Sequence, residues 1–304
     1  MKHDLLVGST GFVGQNLASS HSFTTAVHST NIEEAFTDTY DLAVYAGVTG
    51  TKFLANLSSQ DDRLVIERAK ENLRHIKADR LVLISTVDVY GKLKGLCETD
   101  IPTSEGLDTY GRHRLHLEQW ARENYPDALI VRLPAIYGKG LKKNFVYDLI
   151  HRSPAFLSTA KYDELKKDHP LIEKNYRLTT MGLWKNERLQ DAALLDSWFE
   201  SQSFNSLCFT DSRSSFQFYD LQRLWGHIKT ALEENRTILN IAPPPLKAAT
   251  VFEYVYGTSW TNELDKDPFD YDMKMLLCNG CARASGYLET PEEELGQLKR
   301  FILS

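Results

Sequence analysis

Tyr110 and Arg114 stand four positions apart in the stretch TYGRHR, residues 109–114. On a helix that spacing puts them one turn apart on the same face. A phenol ordinarily ionises at a pKa of about 10, and a cation beside it favours the phenolate. Such a tyrosine can take a proton from a substrate hydroxyl or return one. This pair is therefore a candidate acid–base centre.

A second group with chemical meaning is GSTGFVG, which puts Gly8, Gly11 and Gly14 directly after the first apolar run and at the start of a helix. One glycine allows a tight turn, one lets backbone approach a pyrophosphate, and one lets helix and strand pack closely. The unpaired N–H groups and positive field of a helix N-terminus favour phosphate. Gly8, Thr10, Gly11, Phe12, Val13 and Gly14 are therefore expected to cradle a dinucleotide. An acid about 20 residues further on would bind the ribose hydroxyls of NAD. The stretch there reads AVHSTN, with no acid before Glu33 and no Arg to meet a 2′-phosphate. His28, Ser29 and Asn31 are the polar groups in reach, and between NAD and NADP the balance tips slightly to NADP.

These residues need elements to hold them. DLLVGS, TTAVHS, DLAVYAG, RLVLIST and ALIVRLPAIYG are short apolar runs without helical period, which reads as buried strands. GFVGQNLASS, DDRLVIERAKENLRHI and residues 110–125 between them carry helical patterns. Strands apolar throughout and alternating with helices predict a parallel sheet covered on both faces. The fold class is α/β, a Rossmann-like doubly wound parallel sheet with a smaller C-terminal substrate lobe. Boundaries are expected at 1–145 for the dinucleotide domain and 146–304 for the lobe, with segments near 205–240 returning to the sheet. Residues 151–206 read as helical and aromatic-rich, SLCFT and ILNIA as returning strands, FYDLQRLWGHIKTALEE as an amphipathic helix, and PEEELGQLKRFI as a capped terminal helix.

The chain has 304 residues and a net charge of -6, which argues against a nucleic-acid partner. No apolar run approaches the length that spans a membrane. MKHDLLVGSTG turns glycine-rich too early for a signal peptide, so a cytoplasmic protein is expected. Of the four cysteines, Cys97, Cys208, Cys278 and Cys281, the last two form CNGC. With no second CxxC and no suitably spaced histidine pair, they read as loop thiols and no metal site is expected.

LISTVDVYG puts Thr86 at the end of another strand. Taken in order, GSTGFVG, LISTVDVYG, TYGRHR and RLPAIYG resemble the extended short-chain dehydrogenase/reductase family, the nucleotide-sugar epimerases and dehydratases. The resemblance covers nearly the whole chain. It implies that Thr86 hydrogen-bonds the reacting sugar oxygen and that Tyr110 is the catalytic base. Arg114 stands where the family has the Lys that binds the nicotinamide ribose. Ala46 and Gly47, at the end of the third strand, and Pro134, Ala135 and Ile136 fall on cofactor-lining segments, although many relatives carry a substrate-contacting Asn in place of Ala135. Asp88, Lys142, Lys143, Asn144 and Arg213 fall at substrate-binding positions, Arg213 where an Arg commonly clamps the nucleotide diphosphate. Lys142, Lys143 and Arg213 read equally well as solvated surface, and Lys52 reads as surface.

Dehydratases of the family have an Asp-Glu pair after the Thr. Here the residues are Val87 and Asp88, which disfavours loss of water. The implied function is an NAD(P)-dependent epimerase or reductase acting on a nucleotide-activated sugar, with Arg114 as a working substitute for Lys. The other class is a non-catalytic NAD(P)-binding sensor or scaffold that has lost the Lys. Relatives commonly dimerise through the helix bearing the Tyr. Leu117, Trp120 and Ala121 give that helix apolar surface for a possible homodimer or for the monomer core.

Overall fold

The apolar runs become strands. The structure is a computed structural model and describes residues 3–92, 94–276 and 285–304. In chain order come β1 (Asp4–Val7), α1 (Phe12–Ser20), β2 (Thr25–Val27), β3 (Thr39–Tyr45), α2 (Lys52–Leu57), α3 (Ser59–His75), β4 (Lys77–Thr86), α4 (Thr109–Asn124), β5 (Leu129–Leu133) and β6 (Ala135–Tyr137). A six-stranded sheet has the order β2-β1-β3-β4-β5 followed by the strand Ile238–Asn240, and all its pairings are parallel. The doubly wound fold expected from the apolar strands is present.

Side chains alternate between the two faces with the period of a strand. Leu5 and Val7 of β1, Leu81 and Leu83 of β4 and Ile130 of β5 pack with Ile66 and Leu73 of α3 and Leu117 and Ala121 of α4. Leu6, Val82, Leu129 and Val131 face the other way, onto Leu17 of α1 and onto Leu224 and Ile228 of the helix Leu224–Glu233. Leu117 and Ala121 are thus buried in the chain's own core, at 2% and 0% exposure. They are not surface for a second copy.

A buried polar network fixes α4 on the sheet. Arg132 of β5 donates to Glu118 of α4 through Nη2 at 2.7 Å and through Nε at 3.1 Å, and the Ser85 hydroxyl donates to the same carboxylate at 2.6 Å. Both ion-pair members are fully buried. Arg132 Nη1 also donates to the Tyr90 hydroxyl, at 2.6 Å. Removing one partner of such a pair costs about 3–5 kcal/mol, because the other charge is left buried and uncompensated.

The described residues fall into two compact units: Met1–Gly140 with Phe216–Leu246 and Asp270–Glu294, and Leu141–Ser215 with Lys247–Phe269 and Leu295–Ser304. In the second unit, residues 151–206 are not purely helical. Phe156–Leu157, Trp184–Asn186 and Tyr176–Leu178 form a three-stranded antiparallel sheet, and Trp184 stacks on Tyr162 at 3.5 Å between centroids. SLCFT is not a strand either. Ser206–Phe209 makes a 3-10 turn, capped by Asn205, while the Asn262 amide bonds the carbonyls of Leu207, Cys208 and Thr210. ILNIA does join the sheet, as Ile238–Asn240. Among the described residues no helix is long and apolar enough to cross a membrane. Leu277–Ala284, with Cys278 and Cys281, lie outside the described residues.

Candidate active site

In this sheet the strand order reverses between β1 and β3. Open α/β sheets bind ligands outside the carboxyl ends of the strands at such a reversal. The glycine turn lies there. Gly8 has φ +87°, a left-handed conformation, and a Cβ on it would come 2.6 Å from the Ala46 carbonyl oxygen at the end of β3. A Cβ on Gly14 would come 2.1 Å from the Gly8 oxygen, so helix α1 can pack on the turn only without a side chain there. Gly11 is the N-cap of α1, with no side-chain cap, and a Cβ there would meet the Gly8 oxygen at 3.2 Å. Turn and packing thus need Gly8 and Gly14, and Gly11 is the glycine left for the approach of a ligand. Asn16, buried on α1, donates to Lys139 O at 3.0 Å and accepts from Lys139 N at 3.2 Å. This ties the segment after Pro134, Ala135 and Ile136 to the same helix.

At the tip of β2 the backbone N–H of His28 donates to Asn31 Oδ1 at 2.8 Å, and the ring Nδ1 of His28 lies 3.1 Å from the Thr30 hydroxyl. Ser29 is exposed, and Glu33 and Glu34 lie in the following 3-10 turn Ile32–Phe36.

Thr86 ends β4, and Tyr110 lies in the first turn of α4, whose N-cap Asp108 accepts from Gly111 N at 2.9 Å. The two residues are 6% and 8% exposed, and the Thr86 hydroxyl lies near enough to the phenol to favour its ionised form. Arg114, one turn on, lies over the Tyr110 ring, 4.1 Å from its centroid. The helical spacing is realised as expected, but the electrostatics are not. Burial pushes the Tyr110 phenol up to about 12. Arg114 pulls it down by less, and Asp88 and Asp62 push it further up. Arg114 is itself buried, and its fork is taken at two points. Nη1 donates to Asp62 of α3, and Nη2 donates to the Thr49 carbonyl at 2.6 Å. Asp62 also lies 2.8 Å from His113 Nδ1. At the phenol Asp62 offsets a small part of the cation's field, and Asp88 offsets more.

Asp88 is the hub beside Thr86. Its Oδ1 accepts from Lys52 Nζ at 2.7 Å and from the Tyr271 hydroxyl at 2.8 Å, and its Oδ2 accepts from the Thr86 hydroxyl at 3.2 Å. Lys52 is not the free surface cation expected from its position. It opens α2, is drawn in between Asp88 and Asp108, the latter at 3.3 Å, and its ammonium pKa is raised. Burial works against that charge, and the two carboxylates outweigh burial. Asp62, Lys52 and Tyr271 are the residues that motif spacing missed.

No protein-family model matches the sequence, and no curated protein matches it. Solved structures do. The dTDP-4-dehydrorhamnose reductase of Yersinia enterocolitica aligns at TM-score 0.60 and 15% identity, over 99% of each chain. That of Bacillus anthracis str. Ames, in complex with NADP, aligns at 0.59 and 15%, over 100% of this chain and 99% of that one. The UDP-glucuronic acid 4-epimerase of Bacillus cereus, in complex with UDP-glucuronic acid and NAD, aligns at 0.56 and 17%, over 99% of each. The chain shares the α/β fold of these solved structures. The glycine turn, Thr86, Asp88, Tyr110 and Arg114 all come from the first unit.

The remaining expected substrate residues belong to the second unit. Lys142 and Lys143 are exposed. Asn144, at φ 93°, caps the helix Phe145–Ile150, its side-chain oxygen accepting from Val146 N and Tyr147 N. Arg213 is half-exposed and held by Asp211 at 2.7 Å and by Glu263 at 3.0 Å.

Proposed function

We propose that the chain is an NAD(P)-dependent epimerase or reductase acting on a nucleotide-activated sugar. The observation that carries this is the burial of the Thr86 hydroxyl beside the Tyr110 phenol at the carboxyl edge of the sheet, with Arg114 over the phenol ring. A non-catalytic sensor has no need of that pair. The fold is shared with solved reductases and epimerases, some in complex with NADP or NAD.

The residues present fit a dinucleotide. Gly8–Gly14 and the uncapped N-terminus of α1 would hold its pyrophosphate, and the Ala46–Gly47 and Pro134–Ile136 segments would line it. His28 and Ser29 would meet the ribose, with no acid at the tip of β2 to reject a 2′-phosphate. When bound, its nicotinamide would supply or accept the hydride. Tyr110 gives or takes the proton on the sugar oxygen, and Thr86 orients that oxygen. Arg114 positions the Tyr110 ring. Lys142, Lys143, Asn144 and Arg213 are kept as candidate substrate contacts, with Arg213 first requiring release from Asp211 and Glu263.

The test is turnover of dTDP-4-dehydrorhamnose with NADH and NADPH, and of UDP-glucuronic acid with NAD, by wild type and Tyr110→Phe. Activity with one of these pairs, lost in Tyr110→Phe, is the expected result. Tight dinucleotide binding without turnover would favour the sensor. A homodimer also remains a proposal. It rests on Phe53, Leu57 and Leu64 of α2 and α3, which are exposed at 57%, 54% and 59%. Light scattering of a stable monomer would count against it.

A further inference from the structure

Tyr110 must be reprotonated after it gives a proton away. The cation beside it cannot help, because a guanidinium does not lose a proton in proteins. Arg114 is moreover tied to Asp62 and to the Thr49 carbonyl. A different set of groups leads outward from the phenol. The Thr86 hydroxyl lies beside the Tyr110 phenol and acts on it, Thr86 donates to Asp88 at 3.2 Å, and Lys52 donates to Asp88 at 2.7 Å. Tyr110 and Thr86 are buried, at 8% and 6% exposure, and the side chains of Asp88 and Lys52 reach 13% and 34%, so the outer end of the set meets solvent. Each link is a group that can both receive and release a proton. Tyr271 donates to the same Asp88 oxygen as Lys52 and holds the carboxylate in place.

We infer that Lys52 is the solvent end of a proton relay running through Asp88 and Thr86 to Tyr110, and that the net reaction is reduction of a keto sugar rather than epimerisation. The inference rests on the function proposed above and narrows it. An epimerase returns to the sugar the proton it removed, and it takes up none from solvent. A reduction consumes one proton per turnover. Hydride from the reduced dinucleotide adds to the carbonyl carbon, the C=O π pair becomes the new O–H bond, and Tyr110 supplies that proton and is left as phenolate. Thr86 passes its hydroxyl proton to the phenolate and takes one from Asp88. Asp88 takes its proton from the Lys52 ammonium, and Lys52 regains one from water. The sum is one NAD(P)H and one solvent proton per carbonyl reduced. A phenol held protonated to about pH 12 suits a donor in this direction.

The experiment compares wild type, Lys52→Met, Lys52→Arg and Lys52→Ala with the dinucleotide and sugar pairs above. Wild type should consume reduced dinucleotide stoichiometrically. Lys52→Met and Lys52→Arg should both lose kcat by about 100-fold, the lower end of what proton transfer contributes, with KM for dinucleotide unchanged. Their solvent deuterium isotope effects on kcat should grow, and a primary amine added to Lys52→Ala should restore turnover. Arg keeps the charge and the contacts but cannot deliver the proton. Wild-type kcat in Lys52→Arg would therefore reduce Lys52 to a structural cation and overturn the relay. Undiminished turnover in Lys52→Met would do the same. Wild type that epimerises UDP-glucuronic acid without net dinucleotide consumption would sink the relay and leave the broader function standing. Wild type that binds dinucleotide and turns over no sugar would sink both.

Discussion

Asp62→Asn takes the countercharge from Arg114 while changing the shape of the site very little. Arg114 and Asp62 are 4% and 5% exposed, so neither charge has much water to fall back on. Removing one partner of a buried pair costs about 3–5 kcal/mol, and Asn keeps a hydrogen-bond acceptor, which puts the expectation near about 3 kcal/mol. A domain is stable by about 5–15 kcal/mol in all. At about 2–4 °C per kcal/mol, the midpoint of thermal unfolding should fall by roughly 6–12 °C. A second effect comes with the first. Asp62 is one of the groups pushing the Tyr110 phenol up, so its loss should bring the phenol below about 12. Circular dichroism melts measure the first effect. Ultraviolet difference titration against Tyr110→Phe measures the second. The double variant Asp62→Leu/Arg114→Met, which buries no charge, should recover most of the lost stability. If Asp62→Asn melts within about 1 °C of wild type and Tyr110 titrates unchanged, the ion pair does not act on the phenol as argued.

Arg114→Lys should not raise activity, because an ammonium cannot reach both Asp62 and the Thr49 carbonyl as the fork does, and pH–rate profiles would reveal a gain. Arg114→Met should raise the pH at which Tyr110 ionises, since Arg114 is the cation that lowers it, and should weaken dinucleotide binding in a fluorescence titration. Gly14→Ala should destabilise by about 1–3 kcal/mol in denaturant melts, because its Cβ has no room against the Gly8 backbone. Gly11→Val should fold and lose dinucleotide affinity by calorimetry. Tyr110 ionises higher in the folded chain than its ordinary value of about 10. Its contribution to stability should therefore be intact below that pH and lost as pH rises through about 12, and Tyr110→Phe should soften that alkaline loss in pH-dependent melts.

The sheet was legible because each of its strands is a run of apolar residues that one face cannot absorb. The turn was legible because Gly8 and Gly14 meet backbone wherever a side chain would go. Tyr110 and Arg114 were legible as helix neighbours, since helical spacing is local. What was not legible depends on distant partners. Asp62 reaches Arg114 across two packed helices, and Tyr271 reaches Asp88 from 183 positions away. Lys52 looks like any exposed lysine until two carboxylates claim it. SLCFT has the composition of a strand, and the amides of Asn205 and Asn262 fold it into a turn instead.

The place of Ile238–Asn240 beside β5 bears on how the chain is made. Every residue of β5 is buried, and its outer hydrogen-bonding edge is covered by a strand that the ribosome supplies much later. About 100 residues separate Leu133 from Ile238, so at about 5–20 residues per second the edge of β5 stays open for roughly 5–20 s of synthesis. During that interval Tyr90 also lacks Asn240, its partner on the late strand. An apolar open edge is a template for pairing with another chain. A nascent chain stalled between these two points would therefore carry a nearly complete parallel sheet with one adhesive side, the form of this protein most in need of a chaperone.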